Sequence, residues 1–302
     1  MAGAVALSAL VGVVVVRGLG PSSRPGPAFA QSVPVEIHSA HGSSFVPALE
    51  GRRPLFILVL GSDARPGEPI LRERSDSIHI IGVNRQRTKA TILGFPRDSW
   101  VHIPGHGTTK INAAMQFGGP DLMVRTIESL TGVHIDFWML TSFDGIQRMV
   151  EGIKGLTVDV PYAMHDRYSH ANFSAGRHHL KGWQVLAFAR NRHDTPNGDF
   201  SRSYNQGILF LSALAQLRAR FRADPAALFT WMASAWRNMH TDLSPSTLID
   251  LAISATQVPQ GNVRNLVVPA TTGTVGSASV VFISGRASSL YRDLRADGVV
   301  GR

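Results

Sequence analysis

The chain predicts an α/β fold: a central mixed β-sheet flanked by helices on both sides, an α-β-α sandwich. Three observations point to it. Residues 55–60 are a continuous apolar run closed by Gly61, the pattern of a central strand buried on both faces. Strand-like and helix-like segments then alternate for most of the length, which calls for a sheet covered by helices. The 302 residues are 44% hydrophobic and 17% charged, enough apolar matter for a substantial core rather than a disordered chain.

The elements follow in order from their local chemistry. After the strand at 55–60, residues 78–83 and 90–95 are further apolar runs, joined by the polar turn Asn84-Arg85-Gln86-Arg87. Arg85 and Arg87, lying in a hairpin turn, are expected at the solvated surface. Residues 100–103 fit a short strand, and Gly105 to Lys110 a turn that lacks the spacing of a phosphate loop. Residues 120–130 place Leu122, Met123, Ile127 and Leu130 on one helical side, with Gly132 as the stop. A strand at 135–140 precedes a helix at 142–150 capped by Ser142, and a strand at 156–160 is closed by Pro161. Residues 162–181, rich in His, Gly and Ser, read as a loop. A short apolar helix at 183–189 leads to a long amphipathic helix at 200–221. Helices at 228–239 and 246–256 follow, the latter started by Ser244-Pro245. Strands at 263–268 and 280–283 and a helix at 288–295 complete the order.

Composition narrows the chemistry. The formal charge of +9 suits a polyanionic partner such as nucleic acid, an acidic glycopolymer or lipid head groups. There is no cysteine, which excludes disulfides, Cys-ligated zinc and thiol nucleophiles. Residues 2–16 are uncharged and mostly apolar, short of the roughly 20 residues of a spanning helix. The expected organisation is a membrane anchor in residues 1–17, truncated at its start, a Pro/Gly/Ser-rich linker in 18–53 and a catalytic domain in 54–302. Cleaved secretion and a buried core helix are the alternatives for the apolar run.

Three short clusters carry the candidate chemistry. The first is Gly61-Ser62-Asp63-Ala64-Arg65, with Arg74-Ser75-Asp76-Ser77 close behind; the second is Phe95-Pro96-Arg97-Asp98-Ser99. The third is Arg190-Asn191-Arg192 followed by Asp199, Arg202 and Gln206. Arginine presents a fixed fork of donors matched to phosphate oxygens and keeps its charge. Carboxylates beside such forks repel phosphate unless a divalent cation stands between them, so the set suggests metal-assisted phosphoryl chemistry. Asp63 and the Arg97-Asp98 pair each follow a strand, and sites in open α/β sheets collect beyond strand carboxyl ends. Arg202 and Gln206, four apart at the start of a helix, share a face at an anion-favouring terminus. The plain readings stand beside these: Asp98 as a structural partner for an arginine, Asp63 as a turn residue, and Arg190 with Arg192 as a solvated pair. Histidines 165, 170, 178 and 179 crowd one segment without zinc-ligand spacing and are expected to meet solvent or glycan.

Taken in order, these segments resemble the LytR–CpsA–Psr (LCP) family of cell-wall enzymes. The carriers are the Asp63 turn, Arg74-Ser-Asp-Ser, Pro96-Arg-Asp-Ser and Lys110-Ile-Asn-Ala, then Gly118-Gly119 and Phe143-Asp-Gly. Ala189-Arg-x-Arg and Asp199-x-x-Arg-x-x-x-Gln206 complete the series. The resemblance runs from about residue 55 to 218 and more weakly to 295. It implies a phosphotransferase that moves an anionic glycopolymer from a polyprenyl-pyrophosphate carrier to a peptidoglycan hydroxyl. It also implies a single-pass cell-membrane anchor with an extracytoplasmic catalytic domain, and membrane lipid and peptidoglycan as partners. Asp63 and Asp76 match the Mg2+-associated aspartates, with Mn2+ as the alternative ion. Arg97, Arg190, Arg192, Arg202 and Gln206 match the pyrophosphate-holding positions, with Arg65 and Arg74 alongside, and an apolar tunnel for the lipid is expected between sheet and helices. Asp63 and Asp98 are the carboxylates considered for taking the acceptor proton.

Three positions depart from the family pattern: Lys154 where Gly is usual, Asn205 where a basic residue is common, and Gly94-Phe95 ahead of the Pro-Arg-Asp motif. Asn205 is expected to weaken contact with the outer phosphate or the glycan. The rival functions are a lipid pyrophosphatase with water as acceptor, a noncatalytic glycan-binding module, and a regulator. Nucleic acid is not expected as a partner, because no basic recognition helix or aromatic–basic motif is present.

Overall fold

A computed structural model of the chain describes residues 51–301. The expected anchor and almost all of the expected linker lie outside those residues. Among the described residues no helix is long and apolar enough to cross a membrane.

The first three strands are β1 (Leu55–Ser62), β2 (Ser75–Val83) and β3 (Ala90–Gly94), followed by a small hairpin, β4 (Trp100–Ile103) with β5 (Gly107–Lys110). Helix α1 (Ala113–Thr131) leads to β6 (Phe137–Ser142), α2 (Phe143–Gly152) and β7 (Leu156–Val160). Three short strands come next, β8 (Met164–Asp166), β9 (Ala171–Phe173) and β10 (Gly176–Leu180). Helices α3 (Gly182–Arg190), α4 (Asp199–Ala223) and α5 (Ala227–Asn238), strand β11 (His240–Thr241) and helix α6 (Pro245–Gln257) follow. Strands β12 (Val263–Val267), β13 (Ala270–Val275) and β14 (Ala278–Ile283) and helix α7 (Ala287–Asp297) finish the chain.

Among the described residues the main sheet has six strands, in the order β11-β6-β1-β2-β3-β12. It is mixed: β1 pairs antiparallel with β2 and parallel with β6, and β3 pairs parallel with β12. The alternation within β1 explains why its run is apolar throughout. Phe56, Leu58 and Leu60 enter one core with Ile127 of α1 and Leu294 of α7. Leu55 and Ile57 enter the opposite core with Leu248 and Leu251 of α6. Each fully buried side chain of this size contributes about 1.5–3 kcal/mol, so both faces stabilise the strand. A third core joins β7, β9, α3 and α4 through Val158, Phe173, Phe188 and Leu209.

The caps agree with the sequence signals. Ser142 accepts from the Gly145 amide at 3.1 Å, and Ser244 accepts from the Thr247 amide at 3.1 Å. Gly132 ends α1 with φ 68°, its amide donating to the Glu128 carbonyl at 2.8 Å. The expected helix at 120–130 is the second part of α1. An earlier stretch from Ala113 joins it across Gly119, whose φ of 66° breaks the helical path before Pro120 restarts it.

Several expectations are corrected. The segment 162–181 is not a loop but carries β8, β9 and β10, with β8 paired to β9 and β10 paired to β7. These strands are three to five residues long, too short for a period-2 pattern to emerge from a His-, Gly- and Ser-rich composition. Residues 107–110, read as part of a turn, form the second strand of a hairpin. Strand β13 went unseen for want of buried apolar residues. Arg85 is exposed as expected, but Arg87 is buried. Its backbone is left-handed at φ 59° and its guanidinium donates to the Asn84 carbonyl at 3.1 Å, which folds the side chain back onto the turn.

Candidate functional site

β1, β3 and β6 all run toward one edge of the sheet, and the start of antiparallel β2 lies at the same edge. The register places Gly61 opposite Ser77, Ser62 opposite Ser142 and His79 opposite Gly94. The Asp63 turn, the Asp76 strand start and the Arg97-Asp98 turn therefore emerge together, as sites beyond strand carboxyl ends do.

The guanidinium groups converge there. Arg97, Arg190, Arg192 and Arg202 line one cavity of about 420 Å³ together with Asp76, Tyr168, Ser169 and His193. A narrow apolar cavity of about 80 Å³ adjoins it, lined by Val59, Leu60, Phe143, Ile146, Leu186, Leu209 and Phe210 among others. Asp76, Arg190 and Arg202 line both, so the charged cage is continuous with the apolar cavity.

Each arginine has a defined support. Arg97 donates to Asp76 at 2.6 Å and lies 4.0 Å from Asp98. Burial works against the Arg97 charge, but the Asp76 charge and hydrogen bond outweigh it and raise its pKa. Arg202, 5% exposed, pairs with Asp199 at 3.1 Å, and Arg192 reaches the same carboxylate at 3.6 Å. Burial lowers the Arg202 pKa; Asp199 opposes that shift, and the like charges of Arg97 and Arg192 add to it. A cluster of mutually repelling cations sharing too few carboxylates is a place prepared for a polyanion. Arg190 is exposed, with its guanidinium 4.9 Å from the Phe143 ring centroid, a cation–π support.

Asp76 lines the cage, whereas Asp63 lines neither cavity but lies near enough to feel the charges of Asp76 and Arg97. Burial first, then the neighbouring Asp76 charge, raises the Asp63 pKa. Its Oδ1 atom is buried with no hydrogen-bond partner among the described residues. A desolvated carboxylate with a free oxygen beside a second carboxylate fits one hard divalent cation, which typically takes one or two protein carboxylates and completes its shell with phosphate and water. Among the described residues no group of three or more His, Asp or Glu gathers as a metal site, so substrate oxygens would supply the remaining ligands.

The remaining expected residues fall in different places. Gln206 lines the apolar cavity, and its amide nitrogen donates to the Ala189 carbonyl at 3.1 Å and the Asp76 carbonyl at 3.4 Å. It thereby ties the segment carrying Arg190 to the strand carrying Asp76. Asp98 pairs with Lys110 at 3.0 Å and faces a separate groove. Arg65 is exposed and lines neither cavity; its backbone amide donates to Glu68 at 2.7 Å. Arg74 is held by Gln116 at 2.9 Å. Asn205 is fully buried and donates to the Tyr162 hydroxyl at 2.9 Å, so it contacts the third core rather than a phosphate or glycan.

Sequence reasoning missed a second tier of residues. Asp166 accepts from the Tyr168 amide, the Ser169 hydroxyl and His193, and lies 3.5 Å from the Arg192 amide. Burial opposes its charge, but these donors hold its pKa at about 2. It thereby pins the Tyr168–Ser169 turn and the Arg192–His193 segment to one point at the cage. The usable signal was the Asp-x-Tyr-Ser turn chemistry inside the segment read as a loop. Ser77, which lines the apolar cavity, lies 3.1 Å from His79 Nδ1. His79 is fully buried, with Nε2 3.0 Å from the Ser203 carbonyl. That carbonyl accepts only, so Nε2 carries the proton and Nδ1 accepts from the Ser77 hydroxyl.

Known proteins are similar to this chain in sequence and in fold. A protein of Bacillus mycoides (strain KBAB4) named polyisoprenyl-teichoic acid–peptidoglycan teichoic acid transferase TagU is 32% identical over 199 residues, which is 66% of this chain and 63% of the relative. The match thus spans less than two thirds of that relative's length. The crystal structure of B. subtilis TagV aligns over 80% of this chain and 95% of its own, with TM-score 0.69 and 25% identity. A structure of TagT bound to LI-WTA aligns over 88% of this chain and 96% of its own, with TM-score 0.66 and 21% identity, and shares the fold. With a family model matching residues 28–292, the chain belongs to the LytR_cpsA_psr family.

Proposed function

We propose that this protein is a divalent-cation-dependent phosphotransferase that moves an anionic glycopolymer from a polyprenyl-pyrophosphate carrier to a hydroxyl of peptidoglycan. The observation that carries the reading is the continuity of an arginine cage with an apolar cavity through shared Asp76, Arg190 and Arg202. A diphosphate with a hydrocarbon tail is the ligand whose two halves match the two cavities. The names of the relatives support the same donor and acceptor classes.

In this reading the chain's own residues do the following. Arg97, Arg192 and Arg202 hold the phosphate oxygens and offset the charge that develops as the bridging bond breaks. Arg190, braced by Phe143, closes the cage where the apolar cavity begins. Asp63 and Asp76 hold a Mg2+ or Mn2+ ion, which when bound supplies neutralisation of the diphosphate. The acceptor oxygen forms a bond to the glycan-bearing phosphorus, the bond to the bridging oxygen breaks, and the polyprenyl monophosphate leaves. Asp98, the proton-acceptor candidate not committed to the cation, takes the hydroxyl proton. The domain works outside the cytoplasmic membrane, held by a single N-terminal anchor.

The test is a reconstituted transfer reaction with a polyprenyl-pyrophosphate-linked glycopolymer and isolated peptidoglycan. Polymer covalently attached to peptidoglycan, with release of polyprenyl monophosphate, is expected, and Arg192→Ala should lower the rate. A single charge-assisted hydrogen bond is worth about 1.5–3 kcal/mol, so the loss should be roughly 10–150-fold. Release of glycopolymer phosphate into solution without attachment would favour hydrolysis instead.

A further inference from the structure

A third concave surface adjoins the cage. It is a groove of about 560 Å³ lined by Asp98, Asn197, Asp199, Phe200, Thr271, Thr272 and Ser279 among others. That lies within the ligand-sized range of ~300–1,000 Å³. One wall belongs to the β13–β14 hairpin, whose register pairs Thr272 with Val281 and Thr274 with Ser279. The hairpin is fixed to the Arg97-Asp98 turn by the Val281 amide, which donates to the Asp98 carbonyl at 2.9 Å.

Two carboxylates separate this groove from the cage, and each is linked to cage arginines. Asp98 lies 4.0 Å from Arg97, and Asp199 lies 3.1 Å from Arg202 and 3.6 Å from Arg192. The arginines line the cage while their partners line the groove. The apolar cavity also borders the cage but shares no lining residue with the groove. In-line displacement at phosphorus needs the attacking and leaving oxygens on opposite sides. A leaving lipid phosphate occupying the apolar side leaves the groove as the route for the attacking hydroxyl.

We infer that the groove between the β13–β14 hairpin and the start of α4 binds the acceptor as an uncharged, hydroxyl-rich glycan strand. Its lining matches that class: the hydroxyls of Thr272 and Ser279, which share one face of the hairpin, and the amide of Asn197 for sugar hydroxyls, and Phe200 for the apolar face of a ring. Both wall carboxylates already hold cations, Asp98 with Lys110 and Asp199 with Arg192 and Arg202, and their remaining oxygens accept from sugar O–H groups, while among the described residues no lysine or arginine lines the groove to hold a phosphate-rich polymer. A strand lying there brings its hydroxyl to Asp98. The inference rests on the cage holding the donor diphosphate, and it adds the acceptor's location and chemical class.

The experiment follows backbone amide signals of the domain by NMR during two titrations, one with β-1,4-linked N-acetylglucosamine tetramer and one with inorganic pyrophosphate. Wild-type protein is expected to shift the signals of Thr271, Thr272 and Ser279 with the sugar, and those of the Arg97 and Arg202 region with pyrophosphate. Thr272 and Ser279 are exposed, so Thr272→Trp and Ser279→Trp should fold and fill the groove. Both should weaken sugar binding at least tenfold and leave pyrophosphate binding unchanged. Sugar-induced shifts that avoid the hairpin, or that survive both variants, overturn the groove while pyrophosphate binding keeps the donor cage. Sugar binding at the hairpin without pyrophosphate binding at the arginines supports the groove and overturns the donor reading.

Discussion

His79 makes the folded protein sensitive to acid in a way that can be calculated. The ring is fully buried between β2 and α4 and packs edge-on against Phe210 at 5.2 Å between centroids. Desolvation pushes its pKa from 6.5 down to about 4, with the hydrogen bond to the Ser203 carbonyl opposing the shift. The unfolded chain therefore binds a proton that the folded chain refuses across that interval. The contribution is fully present above about pH 6.5 and is lost as pH falls toward 4. With those two values the loss is about 2 kcal/mol at pH 5 and about 3 kcal/mol at pH 4. His79→Gln keeps a donor for Ser203 and removes the titration. Unfolding free energies from urea titrations between pH 7.5 and 4 should show the wild type losing about 2–3 kcal/mol more than the variant. Parallel curves for the two proteins would refute the reasoning, because acidic groups common to both cancel in the difference.

Two further outcomes test neighbouring parts of the site. A Cβ at Gly94 would lie 2.2 Å from Ser203 Oγ and 2.9 Å from His79 Nε2, so Gly94→Ala should destabilise the domain by about 1–3 kcal/mol in urea denaturation. Burial and the adjacent Asp76 charge raise the Asp63 pKa, which disfavours the ionised form in the folded, cation-free protein. Asp63→Asn should therefore raise the melting temperature at neutral pH without added cation and abolish the further rise produced by MgCl2. In the wild type that Mg2+-induced rise should shrink as pH falls through the raised Asp63 value, since proton and cation compete for one carboxylate.

The sheet was legible because its strands leave a strong local signal. The run at 55–60 is apolar at every position because both faces of β1 are covered, and the caps at Ser142, Ser244 and Gly132 are set by nearest neighbours. The arginine clusters were legible as types, and their order carried the family resemblance. Their convergence depends on the parallel pairing of β1 with β6 and the antiparallel pairing of β1 with β2, which no local pattern encodes. The same limit hid Asp166, whose partners lie up to 27 residues away in sequence, and β8 to β10, too short for periodicity. Arg87 was misplaced for a related reason. Turn composition predicts exposure, whereas a left-handed backbone at that residue folds its side chain inward. Gln206 was placed on the correct face of α4, yet its hydrogen bonds go to two carbonyls, a choice fixed only by tertiary packing.

The most direct measurement is a crystal structure of the domain grown with geranylgeranyl pyrophosphate and MgCl2. Both phosphates are expected among Arg97, Arg190, Arg192 and Arg202, with the cation between Asp63, Asp76 and the phosphate oxygens. The isoprenoid should run along Phe143, Ile146, Leu186, Leu209 and Phe210. A diphosphate bound away from those arginines, or a hydrocarbon tail outside that cavity, would contradict the account.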